Sequence, residues 1–237
     1  MSYILVIFAV GFLILVHEVG HLLAAKWAGI PIARFSIGFG PKLWSFTKGG
    51  VEYRIALIPL GGYVLPDIEE EKDFFALAVR KRIIFSLGGP LANLVFAYPL
   101  MAIYNLLKGD MSLYALTVKP LIQVISSLGY IITAIPMLFT KPEQLSGIVG
   151  IVAQGGKMVE GDWLSGIVLL VMLNLNLLVF NLLPLPVLDG GQILLTLMEK
   201  ISPKVLKIRL PLALLAWILM LGLMIYATSN DIGRLMT

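Results

Sequence analysis

The hydrophobic positions of this chain fall into long continuous runs instead of alternating with polar positions. A helix needs about 20 mostly apolar residues to cross a membrane. Four segments meet this requirement and are predicted to be transmembrane helices: 3–27, 83–107, 163–187 and 210–228. A fifth apolar segment, 113–139, contains Lys119, Gln123 and two prolines. We expect this segment to form a helix that lies in or near the membrane interface.

The distribution of lysine and arginine predicts the orientation of these helices. Residues 26–82 contain nine basic residues and 200–209 contain four, whereas the whole of 108–157 contains four. Because basic loops favour the cytoplasm, four crossings place both basic segments inside and both termini outside. A crossing at 113–139 would move 200–209 to the outside, so an interfacial helix fits the charges better.

The segment 30–66 does not resemble a transmembrane helix. Residues 51–58 begin with alternating polarity and are rich in strand-forming side chains, and Gly49-Gly50 before them is typical of a turn. Segments 32–37 and 42–46 could supply partner strands. The predicted fold class is an all-α polytopic membrane protein with about four transmembrane helices and a small membrane-associated β-sheet after the first helix. The acidic run 67–73 is expected to be a solvated loop.

Composition supports a membrane protein built as a single domain, 1–237. The chain is 59% hydrophobic and 14% charged, with a mean hydropathy of +0.94, whereas soluble domains carry about 25% charged residues. The absence of cysteine excludes disulfides and thiolate metal sites. A net charge of +4 fits membrane topology better than nucleic-acid binding. The N-terminus lacks a basic region and an obvious cleavage site, so it is predicted to be a retained first span.

The candidate chemistry begins with His17-Glu18-Val19-Gly20-His21, which contains the only two histidines of the sequence. On a helix, residues four apart lie on the same face, so both imidazoles would point in one direction. This H-E-x-x-H pattern is typical of two zinc ligands with a glutamate that acts as general base on water. The alternative, a structural polar cluster, fits less well because a membrane penalises ionisable groups without a function.

A catalytic zinc site needs three protein ligands, and Asp189 is the candidate for the third. Asp189 follows the uncharged run 163–188, where an isolated acid is costly unless it is neutralised or binds a cation. Pro184 and Pro186 would break the helix, and Gly190 and Gly191 would allow close backbone approach. The alternative is an ion pair between Asp189 and a basic residue of 200–209.

Several asparagines and glycines are further candidates. Asn181, eight residues before Asp189, could hydrogen-bond a substrate backbone or a developing oxyanion. Asn93 and Asn176 are expected to form hydrogen bonds between helices more often than to act as catalytic groups. Gly88 and Gly89 are predicted to permit close helix packing.

These motifs resemble the site-2 protease family of intramembrane zinc metalloproteases, and most closely its bacterial type that regulates sigma-E. The resemblance rests on HEVGH in the first span together with NLLPLPVLDGG at 181–191, and on further stretches at 34–40, 56–64 and 88–93. It implies that Zn²⁺ binds to His17, His21 and Asp189 and that Glu18 is the catalytic acid/base. It also implies substrate contacts by Asn181 and Asn176, and by Gly61 and Gly62 in a β-structure that binds substrate by strand addition.

The resemblance also implies a function: hydrolysis of peptide bonds in the transmembrane segments of single-span proteins, such as anti-sigma factors or signal-peptide remnants. The partners would be these substrates and the lipid bilayer, without nucleic acid. The location would be the bacterial inner membrane, with the site toward the cytoplasm. Relatives of this type usually carry PDZ domains between the second and third spans. Here the 55 residues of 108–162 are too few for a typical PDZ domain beside a helix at 113–139. The chain would therefore be either a naturally minimal member or one from which that domain was removed.

Two other functions compete with this interpretation. A membrane zinc peptidase for soluble or lipidated substrates would place its motifs differently. A non-proteolytic zinc transporter or sensor would need ligands along a path through the membrane and would have no use for Glu18.

Overall fold

The computed structural model describes residues 2–68, 71–140, 146–202 and 205–236. These parts of the chain are mostly helical, and two paired strands follow the first helix. The elements are α1 (Ser2–Ala28), β1 (Ile32–Lys48), β2 (Val51–Pro66), α2 (Glu71–Ala76), α3 (Val79–Leu107), α4 (Leu113–Ala134), α5 (Met137–Thr140), α6 (Ile148–Gly161), α7 (Ser165–Asn181), α8 (Asp189–Ile201) and α9 (Val205–Met236).

Four helices of the described chain are long and apolar enough to cross a membrane. They are Tyr3–Ala28, Val79–Leu107, Leu113–Ala134 and Lys207–Arg234. The predicted fold class, a multi-pass helical membrane protein with a small sheet after the first helix, is confirmed. The identity of the four helices differs from the prediction in two places.

The first difference is α4, which qualifies by length and composition although the sequence favours an interfacial position. The helix ends at Ala134, just before Ile135 and Pro136, and so does not continue to 139. The second difference is α7. It has 17 residues and ends at Asn181 instead of 187, because two prolines follow within five residues. Which helices cross the bilayer stays a prediction.

One compact unit of the chain comprises 11–93 and 180–210. Its apolar core joins the C-terminal half of α1 to the start of β1 and β2, through Leu22, Ala25, Ile32, Phe35 and Val51. Helix α1 approaches α3 closely because Gly20 lies against Gly88. A Cβ on either glycine would overlap the backbone of the other helix. The predicted packing role of Gly88 is therefore confirmed.

The sheet in this unit has an irregular register that gives one segment two neighbours. Residues 32–37 of β1 pair with 62–66 of β2, and residues 34–37 also pair with 52–55. Residues 42–48 pair with 51–56 across a turn in which Gly49 and Gly50 both have positive φ. The predicted turn and partner segments are thus confirmed, while 62–66 extends the sheet beyond the predicted strands.

The other compact unit comprises 2–10, 94–179 and 211–236 of the described chain. Its core joins α3, α4 and α7 through Ala97, Met101, Val124, Val171 and Leu175. Polar side chains add to this packing. Asn105, which is buried, donates hydrogen bonds to Ala115 O and Gln123 Oε1 of α4.

Two sequence features fall partly outside the described residues. The acidic run 67–73 is not entirely a loop, because α2 begins at Glu71, and residues 69 and 70 are not described. In the basic segment 200–209, residues 200 and 201 end α8 and residues 205–209 begin α9. Its residues 203 and 204 are not described.

Candidate metal centre and active site

The two histidines face the same way from α1. Both side chains are buried, and their Nε2 atoms lie 3.1 Å apart. One helical turn separates the two residues, which is the geometry that the i, i+4 spacing predicts. His21 is also oriented from the other side of its ring, since Nδ1 lies 2.8 Å from Phe85 O.

Asp189 is brought to the histidines by a tight connection between α7 and α8. The connection lies so close to α8 that a Cβ on Gly190 or Gly191 would overlap the carbonyls of Leu182 and Leu185. Asp189 is the first residue of α8. Its Oδ2 lies 3.2 Å from His17 Nε2 and 3.4 Å from His21 Nε2. Because side chains at 190 and 191 would collide with this connection, glycine is required at both positions after Asp189.

The three side chains fit a tetrahedral zinc site. Zinc binds histidine nitrogen and carboxylate oxygen at about 2.0–2.2 Å, which sets the ligand atoms of a tetrahedral site about 3.3–3.6 Å apart. The observed separations are 3.1, 3.2 and 3.4 Å. Within the described residues, His17, His21 and Asp189 form a group in which all ligand atoms lie within 4.8 Å of one another. Two histidines and one carboxylate match the donor set of catalytic zinc sites.

Glu18 lies at the same cavity but outside the ligand group. The cavity has a volume of about 250 Å³ and is lined by His17, Glu18, His21, Gly62, Tyr63, Val64, Phe85, Asn181, Val187 and Asp189. The Glu18 side chain packs on the backbone of Gly62, where a Cβ would lie 2.8 Å from Glu18 Cγ. Strand β2 therefore contributes one wall of the site, and residue 62 has no room for a side chain.

A second wall comes from α3, and sequence reasoning missed most of it. Phe85, Gly89 and Asn93 are spaced four residues apart and face the histidines. Asn93 is fully buried, and its Nδ2 lies 3.2 Å from His17 Nδ1. A Cβ on Gly89 would overlap Nε2 of both histidines. The i, i+4, i+8 spacing could have indicated a common face, but nothing in the sequence shows that this face meets α1.

The other predicted site residues differ in their surroundings. Asn181 lines the cavity, at the end of α7. Asn176 donates a hydrogen bond to Met172 O within its own helix, so its substrate contact stays a prediction. Gly61 has a φ of 156° and packs on the Phe39 ring. Gly61 is not among the described residues that line the cavity, whereas Gly62 is, so the substrate contact of Gly61 stays a prediction.

This arrangement can support hydrolysis. Three ligand atoms converge on one point, and a carboxylate that is not a ligand borders the same cavity. A general base must be able to reach the proton that it removes, either directly or through one water molecule. Besides the three ligands, Glu18, Tyr63 and Asn181 contribute polar side chains to the cavity.

Comparison with known proteins agrees with this site. The family model described as peptidase family M50 matches residues 5–225. A putative zinc metalloprotease of Chlamydia pneumoniae is 42% identical over 112 residues, which are 40% of this chain and 18% of that protein. The regulator of sigma E protease of Haemophilus influenzae is 39% identical over 132 residues, covering 51% of this chain and 28% of that protein.

The regulator of sigma-E protease RseP of Escherichia coli is 45% identical over 102 residues, 38% of this chain and 22% of that protein. The matched segments thus span less than a third of each of these three relatives. The family model, in contrast, extends over nearly the whole of this chain, from α1 into α9. With its histidine pair, Glu18 and Asp189 gathered at one cavity, the chain belongs to peptidase family M50, the site-2 protease family that its motifs resemble.

Proposed function

We propose that this protein is an intramembrane zinc endopeptidase that hydrolyses peptide bonds in the transmembrane segments of single-span membrane proteins. The observation that carries the proposal is the position of Glu18, which borders the same cavity as His17, His21 and Asp189. This site lies on Tyr3–Ala28, a helix suited to crossing a membrane. The names of the relatives, which include zinc metalloproteases, support the choice of metal.

His17, His21 and Asp189 would hold Zn²⁺ in this proposal. A bound zinc ion supplies Lewis-acid chemistry, polarising a carbonyl group and making water more acidic. Glu18 then accepts a proton from the attacking water and delivers it to the leaving amine. Asn181, which also lines the cavity, donates from its side-chain amide to the substrate carbonyl oxygen as negative charge develops there.

The substrate would bind as an extended strand along residues 62–66 of β2. A membrane helix cannot be hydrolysed while its own hydrogen bonds and side chains cover its amides, so it must unwind and find new partners. Residues 62–66 pair with 32–37 on one side, and no other pairing of them is seen in the described chain. Gly62, Tyr63 and Val64 of this segment line the cavity. A strand added here would therefore run past Glu18.

The proposed location is the bacterial inner membrane, with the site in its cytoplasmic half. The support is the basic residues of 26–82 and 200–209, which favour the cytoplasm under the positive-inside rule. The lipid bilayer and single-span proteins are the proposed partners. Anti-sigma factors or signal-peptide remnants are the substrate classes that the resemblance suggests.

A zinc transporter or sensor would use these residues differently. It would need a series of ligand groups through the membrane, whereas the group formed by His17, His21 and Asp189 is gathered at one place in the described chain. It would also give no role to the Glu18 carboxylate beside Gly62.

Cleavage of a single-span model protein by the purified protein tests the proposal. Glu18→Gln keeps all three ligands and removes the base, so we expect unchanged zinc content and a loss of about 10²–10⁴-fold in cleavage rate. Zinc chelation of the wild type should abolish cleavage. The matched control is Glu160→Gln, the same substitution at an exposed position of α6, which should cleave normally. Equal cleavage by the wild type and Glu18→Gln would reject Glu18 as the base.

A further inference from the structure

Helix α3 contacts both histidines on the ring atoms that face away from the ligand cluster. Phe85 O lies 2.8 Å from His21 Nδ1, and Asn93 Nδ2 lies 3.2 Å from His17 Nδ1. In each case the histidine Nε2 faces Asp189 Oδ2. The two imidazoles are therefore held alike, each by one partner from α3 at Nδ1.

The chemistry of imidazole decides what these partners must be. A neutral ring carries one N–H, and the nitrogen that binds a metal must offer its lone pair. When Nε2 is the ligand, Nδ1 carries the hydrogen and needs an acceptor. The carbonyl of Phe85 can only accept, so it fixes this tautomer in His21. His17 has a side-chain amide in the equivalent place, and an amide can either donate or accept.

The orientation of the Asn93 amide thus selects the tautomer of His17. With Nδ2 toward the ring, Asn93 donates to Nδ1, and the hydrogen of His17 sits on Nε2, directed at Asp189 Oδ2 3.2 Å away. A half-turn of the amide places Oδ1 at the ring instead. Nδ1 then donates to Asn93, and the Nε2 lone pair becomes available to a metal.

We propose that Asn93 is a positioning residue for the metal centre: its side-chain oxygen accepts the Nδ1 hydrogen of His17 and so directs the Nε2 lone pair toward the ion. The proposal rests on the zinc site assigned under the proposed function and extends it to α3. Asn93 is fully buried, so water cannot readily replace it as the acceptor. Metal ligands oriented by such an outer hydrogen bond typically lose about 10–100-fold in affinity when that bond is removed.

Metal affinity of the full chain in detergent tests this role without depending on catalysis. Zinc affinity is measured by competition with a chelating dye, and the absorption spectrum of bound Co²⁺ reports the ligand geometry. Asn93→Leu has similar size and no acceptor, so we expect zinc affinity to fall about 10–100-fold and the Co²⁺ spectrum to change. Asn93→Asp keeps an acceptor and should restore both. If Asn93→Leu does not fold, Asn93→Ala answers the same question.

Asn105→Leu is the matched control. Asn105 is also a buried asparagine of α3, but its hydrogen bonds go to Ala115 and Gln123 of α4. This variant should bind zinc like the wild type. Wild-type affinity in Asn93→Leu, an equal loss in Asn93→Leu and Asn105→Leu, or no recovery in Asn93→Asp would each overturn the proposal. A wild type that binds zinc but does not cleave would contradict the proposed function and leave this ranking of affinities intact.

Discussion

Gly89 is the residue whose lack of a side chain matters most to the metal centre. A Cβ at this position would overlap Nε2 of both His17 and His21, the two atoms that would bind zinc. The residue therefore does more than allow α1 and α3 to approach. It leaves open the space in which the ligand atoms converge.

Gly89→Ala should consequently weaken zinc binding by about tenfold or more. The added methyl group would push a ligand ring away from the metal, which should cost at least as much affinity as the loss of an outer hydrogen bond. Dye competition measures the affinity. Gly129→Ala is the matched control, because a Cβ at that helical position would meet no described atom within 4 Å apart from its chain neighbours and the backbone of its own helix. Unchanged affinity in Gly89→Ala would show that the histidines can move aside without loss.

Asp189→Ala should remove the third ligand and lower zinc affinity by more than the loss of an outer hydrogen bond would. Metal analysis of the purified variant measures this. Asp67→Ala, at an exposed aspartate just beyond β2, serves as the control and should retain its zinc. Full zinc content in Asp189→Ala would exclude this residue as a ligand.

The ligand group was predictable from the sequence because each ligand stands in a local pattern that indicates metal binding. His17 and His21 share a helix face, and Asp189 is an isolated acid at the end of an apolar run. The roles of Phe85, Gly89 and Asn93 were not predictable, because they depend on where α3 crosses α1. An asparagine or a glycine in an apolar helix is by default interpreted as a helix-packing residue, and only the position of the neighbouring helix shows another role.

At the level of elements, β2 determines how a substrate could reach the site. Its residues 62–66 form one edge of the sheet, and 42–48 of β1 form the other. The hairpin turn was predictable from Gly49-Gly50, since both need positive φ. The pairing of 62–66 with 32–37 was not, because it joins residues about 30 positions apart and has no turn signal to mark it.

Cysteine crosslinking can distinguish the two edges, because the sequence has no cysteine of its own. With Glu18→Gln to stop cleavage, Tyr63→Cys should form a disulfide with a cysteine placed near the scissile bond of a single-span substrate. Thr47→Cys, on the opposite edge, should not. Non-reducing electrophoresis reads out the product. Crosslinking at position 47 alone would move the substrate to the other edge.

At the level of the whole molecule, the charges and the helix lengths favour different crossings. Helix α4 is long enough to span, whereas the charges of 200–209 favour a chain in which it does not. Helix α7, at 17 residues, extends about 25 Å, and it ends where Asn181 lines the cavity. The number of apolar segments was predictable from the sequence. Their depth in the bilayer was not, because hydropathy describes the composition of a segment and not its position in the membrane.

Labelling with an impermeant thiol reagent tests this topology. Ile125→Cys, at an exposed position of α4, should react from outside the cell if the helix is interfacial. Lys200→Cys should react only after the membrane is permeabilised, because its basic segment is expected in the cytoplasm. Protection at 125 together with labelling of 200 from outside would contradict the four-crossing arrangement.

Mapping of the cleaved bond tests whether this protein hydrolyses a peptide bond within the membrane. The purified protein and a single-span substrate are placed together in liposomes, and the products are analysed by mass spectrometry. We expect a cut inside the transmembrane segment, in its cytoplasmic half, that is lost with Glu18→Gln and with zinc chelation. A cut confined to the soluble flanks, or an intramembrane cut that persists in Glu18→Gln, would contradict it.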